Sequence, residues 1–354
     1  MTLSFLSYLF GCLTVHGAAW FVMVSEHMTD PIEEEGFFTL SMLCLAVTLL
    51  LCFPFGMLCD LLRTNGRAFA AFGCLVTAVA ALLAKSQPEF AVILLGVGVS
   101  AFTVGGLCDA VTQGGGLTRI GIFLSMIFPG VALGKKCGGF RKFPAFYFVV
   151  LLLFFAVMLL NFCRNPREKY TLPASKKLFS LSCPLLPHKW PGLLCSGLCA
   201  VLILFVGLNV RNPGSDFRFA WLVPAAAVFA GLFVGGVLAD VFGAVLVGPA
   251  GLCLSAVLCV IGKERFLFYA AALFCLGIAL PAAVGEFMKA FSGKEGRGIA
   301  VLSLCAEAAY CLSLLLQKKG TALPAAVLPA LCACGAVLLV LTAGRHLYLT
   351  KEAG

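Results

Sequence analysis

The stretches GMLCDLLRTNGR (56–67) and GGVLADVFG (235–243) each end one apolar run and lead into the next. Asp60 and Asp240 are about half a chain length apart, and each follows the second of six apolar runs in its half of the sequence. A repeat with a period of half the chain indicates two related halves. The repeated turn therefore predicts the organisation of the whole chain.

The residue types in the two stretches suit a turn between closely packed helices. Gly56 and Gly236 have no side chain, so two helices can approach each other there. A carboxylate at the end of a helix can cap the positive N-terminus of a neighbouring helix. Gly66 and Gly243 permit a tight reversal into the next span.

The composition indicates that most of this chain lies in a lipid bilayer. Of 354 residues, 61% are hydrophobic and only 12% are charged, whereas about 25% are charged in soluble chains. The net charge of +9 comes from short basic clusters between apolar runs, which is typical of anchors at lipid headgroups and not of nucleic-acid binding. At about 20 residues per crossing, we expect an all-α membrane protein with twelve transmembrane helices in two pseudo-symmetric six-helix bundles.

The predicted organisation divides the chain into an N-terminal bundle (1–162), a basic linker (163–190) and a C-terminal bundle (191–354). The first run has no basic residues before it and is long for a signal peptide, so it is predicted to be a transmembrane helix. The predicted spans are 3–24, 37–58, 68–84, 90–110, 119–134, 144–162, 191–210, 218–239, 245–262, 266–287, 299–316 and 323–344.

An even number of spans places both termini and the linker on one side of the membrane. The acidic loop SEHMTDPIEEEG (25–36) favours the outside and the basic linker favours the cytoplasm. We therefore expect a multi-pass protein of the inner (plasma) membrane, monomeric, with cytoplasmic termini.

The pattern Gly-x-x-x-Asp, followed by basic, Gly and basic residues, resembles the signature loop of the major facilitator superfamily. In that family the loop joins helices 2 and 3, and a degenerate copy joins helices 8 and 9. The resemblance implies that both loops latch a cytoplasmic gate. The residues that match this gating motif are Gly56, Asp60, Arg63, Gly66, Arg67, Gly236, Asp240 and Gly243.

The sequence departs from the family pattern at the basic positions. In the first copy Leu61 replaces the basic residue after Asp60, with Arg63 as a substitute; in the second copy Val241 and Ala244 replace both basic residues. FPGVALG (128–134) resembles the Gly/Pro motif on helix 5 of antiporters, with Pro and Gly in reversed order. The family geometry also implies that the amides around Gly114-Gly115-Gly116 receive the Asp240 carboxylate.

Ionisable groups inside a span are costly and therefore candidates for function. His16 lies in the first span with Trp20 one turn later on the same face, and a neutral His can bind solute or carry a proton. Its position is similar to that in a fosmidomycin-resistance-like bacterial branch of the family, although the acidic partner one turn later is missing. Glu307 lies in the eleventh span with Ser303 and Tyr310 on its face, and it is the first candidate for proton coupling. For both residues a hydrogen bond to a neighbouring helix is the structural alternative.

Two further carboxylates lie near the cytoplasmic ends of equivalent spans. Asp109 ends the fourth span and Glu286 ends the tenth. They are either solvated carboxylates or members of gating ion pairs with Arg119 and Lys289. The fourth span lacks the Arg that many proton-coupled family members carry.

The resemblance implies a cavity lined by spans 1, 4, 7 and 10. Its weakly polar side chains suit a small amphipathic or weakly charged organic solute. We expect a secondary active transporter working by alternating access, with proton-coupled efflux slightly favoured; an uptake permease and a non-transporting sensor or scaffold are the alternatives. No cofactor, metal site or enzymatic activity is expected, because the cysteines lie in apolar runs and the four histidines are scattered. The expected cavity residues are His16, Trp20, Ser100, Thr103, Ser196 and Asn209.

Overall fold

The computed structural model covers most of the apolar sequence. Arg63, Gly114, Gly115, the acidic loop at 26–33 and linker residues 164–188 lie outside the described residues. The described residues are 3–25, 34–62, 66–112, 116–140, 144–163, 189–210, 219–261, 265–289, 291, 294–318, 324 and 326–352.

All regular secondary structure in these ranges is helical, because a helix satisfies its own backbone hydrogen bonds in lipid. The helices are α1 (Leu3–Ser25), α2 (Glu34–Leu62), α3 (Arg67–Leu83), α4 (Pro88–Thr112), α5 (Gly116–Ser125), α6 (Ile127–Gly138), α7 (Phe146–Cys163), α8 (Lys189–Asn209), α9 (Val223–Phe242), α10 (Ala244–Ile261), α11 (Phe266–Lys289), α12 (Glu295–Lys318) and α13 (Val327–Glu352).

The twelve predicted spans are confirmed, with one helix divided. Eight helical spans in the described part are long and apolar enough to cross a membrane, and four further apolar helices are shorter. The fifth span consists of α5 and α6, which meet at Met126, three residues before Pro129. The last helix runs to Glu352, eight residues beyond the predicted end at 344.

The chain forms two compact units that do not follow the sequence order strictly. The first contains Met1–Gln113, Met126–Leu172 and Lys294–Ser303; the second contains Gly114–Ser125, Pro173–Gly293 and Leu304–Gly354. The first unit therefore includes the start of α12, and the second includes α5. The division into consecutive bundles at 162 and 191 stays a prediction.

The helix neighbours repeat between the units. In the first unit α4 packs against α2 and α3, and α3 packs against α7. In the second unit α11 packs against α9 and α10, and α10 packs against α13. These pairs hold the same ordinal positions in each half, so the sequence repeat is also a repeat of packing.

Two helices of the first unit, α1 and α6, cross in close contact. Helix α6 packs along α1, and a Cβ atom added at Gly134 would collide with the carbonyl oxygen of Gly17. Gly130 makes a similar approach to Leu13 one turn earlier. The FPGVALG stretch therefore serves as the contact surface of α6 for α1, with its glycines supplying the space.

Candidate functional site

Asp60, the last acidic residue of α2, caps the start of α12. Its Oδ1 accepts a hydrogen bond from the Gly296 amide at 2.7 Å, and its Oδ2 accepts one from the Arg297 amide at 3.0 Å. Arg297 Nε lies 3.6 Å from Oδ2, and that side chain is 40% exposed. The carboxylate thus satisfies two helix-terminal amides and meets the positive end of the helix dipole.

The glycines beside this cap allow the two backbones to meet. A Cβ atom at Gly56 would collide with the carbonyl oxygen of Gly296, and a Cβ atom at Gly296 would collide with that of Gly56. One turn of α2 therefore lies directly against the first turn of α12. The predicted close approach at Gly56 is confirmed within the first unit.

Asp240, at the corresponding place on α9, caps the start of α5. Its two carboxylate oxygens accept hydrogen bonds from the amides of Leu117 and Thr118, each at 2.8 Å. The Thr118 hydroxyl donates a third bond to Oδ2 at 2.5 Å. Asp240 therefore meets the segment that begins at Gly116, and the described amide donors, Leu117 and Thr118, follow that glycine. Gly114 and Gly115 lie outside the described residues.

Two glycines with positive φ frame this second cap. Gly116 has φ of 64°, and a Cβ atom there would lie 2.6 Å from Asp240 Oδ1. Gly243 has φ of 88° and terminates α9, and a Cβ atom there would meet nothing within 4 Å. The left-handed conformation favours glycine at both positions, but only Gly116 also needs the space.

The two caps are equivalent despite different donors. Each aspartate ends the second helix of its half, and the helices that they cap, α12 and α5, begin the eleventh and fifth spans. Gly236 lies against α5 as Gly56 lies against α12. Val241 and Ala244 replace the basic residues of the second copy, but its aspartate still forms the helix cap.

Arg67 belongs to a buried ion pair. Its Nε lies 3.7 Å from Asp109 Oδ1, and the two side chains are 2% and 1% exposed. The pair joins the start of α3 to the end of α4. The role of Arg67 in the gating loop and the pairing of Asp109 with Arg119 both stay predictions.

Glu286, the counterpart of Asp109, is paired differently. Lys289 Nζ donates to its Oε1 at 2.5 Å, and that lysine side chain is 37% exposed. The predicted contact between Glu286 and Lys289 is therefore present. The other oxygen, Oε2, is buried with no hydrogen-bond partner in the described part of the chain. Ala244 occupies the position at the start of α10 that Arg67 holds at the start of α3.

His16 holds one fixed orientation on α1. Its Nδ1 lies 2.9 Å from the Cys12 carbonyl oxygen. Because a carbonyl only accepts, Nδ1 carries the hydrogen and Nε2 is the acceptor of the neutral ring. One turn further along α1, the ring of Trp20 faces Lys135 of α6, whose Nζ lies 4.2 Å from the ring centroid.

The other expected cavity residues differ in accessibility. Ser100 and Ser196 are fully buried, and the Ser100 hydroxyl donates to the Val97 carbonyl at 2.9 Å. Thr103 is half-buried, with a buried hydroxyl oxygen that has no partner among the described residues. Asn209 is half-buried and its amide donates to the Ser313 hydroxyl at 2.7 Å.

Glu307 is half-buried in α12. Within the described residues its carboxyl makes no hydrogen bond or ion pair, so neither Ser303 nor Tyr310 bonds it as the sequence suggested. It lies eleven residues beyond the Gly296 amide that Asp60 caps. A helical rise of 1.5 Å per residue separates the two by about 17 Å along one helix.

Three residues that form the contacts described above were not predicted from the sequence. Gly296 and Arg297 supply the amides for Asp60, and Lys135 lies over Trp20. The stretch EGRG (295–298) before the eleventh span has small residues at a helix start, which is the one local signal that could have indicated a close contact. Nothing in the sequence around Lys135 indicates its aromatic partner.

No protein-family model matches the sequence, and no curated protein matches it. Solved structures do match over nearly the whole chain. They include the major facilitator superfamily transporter FucP in the outward conformation, with a TM-score of 0.65 at 14% identity, covering 96% of this chain and 99% of that chain. A bacterial homologue of the iron transporter ferroportin in an outward-facing state gives 0.63 at 14% identity, covering 96% and 98%. The human organic anion transporter TETRAN gives 0.66 at 15% identity, covering 97% and 99%.

These identities are low, so the likeness establishes the fold and nothing finer. It agrees with the apolar helices and with the packing repeated in the two units. The chain is a multi-pass membrane protein with the fold of the major facilitator superfamily, twelve helices in two six-helix bundles.

Proposed function

We propose that this protein is a secondary active transporter that moves a small organic solute by alternating access. The observation that carries the proposal is the pair of equivalent carboxylate caps, Asp60 on α12 and Asp240 on α5. Both consist of two or three hydrogen bonds from groups at the start of a helix to a carboxylate, which contribute about 1.5–3 kcal/mol each. Contacts of that size can hold a closed state and still break during a transport cycle.

The caps are proposed to form the cytoplasmic gate. Helix α12 connects the capped segment to Glu307, so release of Asp60 frees the start of the helix that carries the candidate proton site. Asp109 ends α4, and its ion pair with Arg67 at the start of α3 is proposed to hold the first capping turn in place. Glu286 and Lys289, which pair at the end of α11, are proposed gate residues of the second half. Arg119 is a further candidate for this network.

The solute is proposed to be weakly charged or amphipathic. His16, Trp20, Thr103 and Asn209 are half-buried and mostly aromatic or uncharged, which suits such a molecule. Ser100 and Ser196 would contact it only after the helices rearrange.

Proton-coupled efflux is the proposed direction, with Glu307 and His16 as the titrating groups. Both are ionisable, lie within spans and lack a charged partner among the described residues. The proposed location is the plasma membrane, as a monomer with cytoplasmic termini.

The test combines binding with flux. Purified protein is screened against a metabolite library by thermal shift, and each stabilising compound is then loaded into proteoliposomes. Movement that is driven by an imposed pH gradient and is absent from protein-free liposomes supports the proposal. A compound that binds tightly while no flux is detected would favour the alternative, a sensor or scaffold. The same measurement with the solute supplied outside the proteoliposomes, under the same pH gradient, would distinguish uptake from efflux.

A further inference from the structure

Lys135 is a cation within the fifth span, in the last turn of α6. The span extends to Gly138, three residues further, so the ammonium lies near the end of the span, where a lysine side chain can reach water or an anionic group. Lys135 is exposed, and it makes no ion pair with any described residue. Its observed partner is the face of Trp20, 4.2 Å from the ammonium nitrogen.

The crossing of α1 and α6 determines this contact. Gly134 lies against Gly17 with no room for a Cβ atom. Lys135 follows Gly134 directly, and Trp20 is one turn beyond Gly17, so the close backbone contact brings the ammonium over the indole. The adjacent lysine, Lys136, instead lies over Phe140 at 5.3 Å, beyond the end of the span.

His16 provides a second polar group on the same face of α1. Its Nδ1–H is committed to the Cys12 carbonyl, and Nε2 has no hydrogen-bond partner in the described ranges. The neutral ring therefore offers one acceptor, one helical turn from Trp20. A turn corresponds to about 5.4 Å along the axis.

We propose that His16, Trp20 and Lys135 form a subsite in the first unit for a small organic acid that also carries a hydrogen-bond donor. The carboxylate would pair with the Lys135 ammonium, which has three donors and makes no ion pair with a carboxylate of the described residues. The apolar body would lie against Trp20, and a hydroxyl or amide N–H of the solute would donate to His16 Nε2. This inference rests on the proposed transport function, because it names the class of solute.

The probes are 4-hydroxybenzoate, benzoate and 4-hydroxybenzyl alcohol, which separate the carboxylate from the hydroxyl on one ring. Binding to the purified full-length protein is measured by calorimetry at neutral pH. Wild-type protein should bind 4-hydroxybenzoate more tightly than benzoate and should bind the alcohol weakest. Lys135→Gln should weaken both acids by about tenfold or more, since a charge-assisted bond is lost, while Lys136→Gln leaves them unchanged.

The His16 variants test the donor preference independently. His16→Phe should abolish the preference for 4-hydroxybenzoate over benzoate, and His16→Gln, which retains an acceptor, should restore part of it. The inference is overturned if neither acid binds, if the alcohol binds as well as the acid, or if Lys135→Gln binds both acids normally.

Flux separates this inference from the transport proposal. If another class of solute is transported while no acid binds, only the subsite is wrong. If the acids bind through Lys135 but nothing is moved in proteoliposomes, the transport proposal fails and the subsite remains.

Discussion

The Asp60 carboxylate lies 2.7 Å from the Gly296 amide, although 236 residues separate them in the sequence. Asp240 makes the corresponding contact with Leu117 at 2.8 Å across 123 residues. In both cases an aspartate at the end of one helix satisfies the amides that begin another. The repeat in the sequence is therefore also a repeat of one electrostatic contact. Each of these contacts must break before the capped helix can move away from its aspartate.

Replacing Asp240 by Asn should impair transport without preventing insertion. Asn keeps one acceptor oxygen but presents an NH₂ group to the second amide and removes the charge that faces the helix dipole. We expect a loss of about 1–2 kcal/mol of stability, measured as a lower melting temperature, with a reduced transport rate in proteoliposomes.

The matched control for Asp240→Asn is Glu89→Gln. Glu89 is an exposed carboxylate in the first turn of α4. Glu89→Gln should lower the free energy of unfolding by a few tenths of a kcal/mol at most, which is within the usual range for exposed surface substitutions. Transport at the wild-type rate in Asp240→Asn would show that the cap has no role in gating.

Alanine substitutions at Gly116 and Gly243 separate the effect of backbone strain from the effect of disturbing the Asp240 cap. Alanine at either position must adopt positive φ, at a cost of roughly 1–3 kcal/mol. Only Gly116→Ala also places a methyl group 2.6 Å from Asp240 Oδ1. We expect Gly116→Ala to lower the melting temperature and the transport rate more than Gly243→Ala. Equal effects would mean that strain alone accounts for both.

The sequence predicted the capping residues better than their partners. Asp60 and Asp240 were found because the turn is local and repeated, and the twelve spans because each depends only on its own apolar run. Gly296 and Arg297 were missed because their contact with Asp60 depends on how distant helices pack. The pairing of Asp109 with Arg119, ten residues later, stays a prediction, and the structure places Arg67 beside Asp109, which local sequence does not indicate. Only the α3–α4 packing brings those two charges together.

The second unit should gain stability from a cation at the start of α10. Glu286 Oε2 is buried without a described partner, and Ala244 holds the place of Arg67. By the repeated packing, Ala244→Arg should bring a guanidinium to this oxygen and raise the melting temperature, because a buried unpaired acceptor costs about 1–3 kcal/mol.

A double-mutant cycle gives the control for Ala244→Arg. In a Glu286→Gln background the same arginine has no carboxylate to meet, so it should lower the melting temperature, since Ala244 is 7% exposed and the site has little spare room. If the arginine acts identically in both backgrounds, the two positions are not coupled and the correspondence with Arg67 and Asp109 does not extend to the second unit.

Glu307→Gln should uncouple transport from the pH gradient. Glutamine has the shape of a protonated glutamic acid but cannot release the proton, so solute movement along its own gradient should continue while acceleration by an imposed pH gradient disappears. Flux is measured in proteoliposomes with and without that gradient.

Ser313→Ala is the matched variant, because it changes a polar contact of the same helix, the 2.7 Å bond from Asn209, without removing a titratable group. It should slow transport, if at all, by the same factor in both conditions. A Glu307→Gln protein that still responds fully to the gradient would exclude this carboxyl as the coupling site and leave His16 as the remaining candidate.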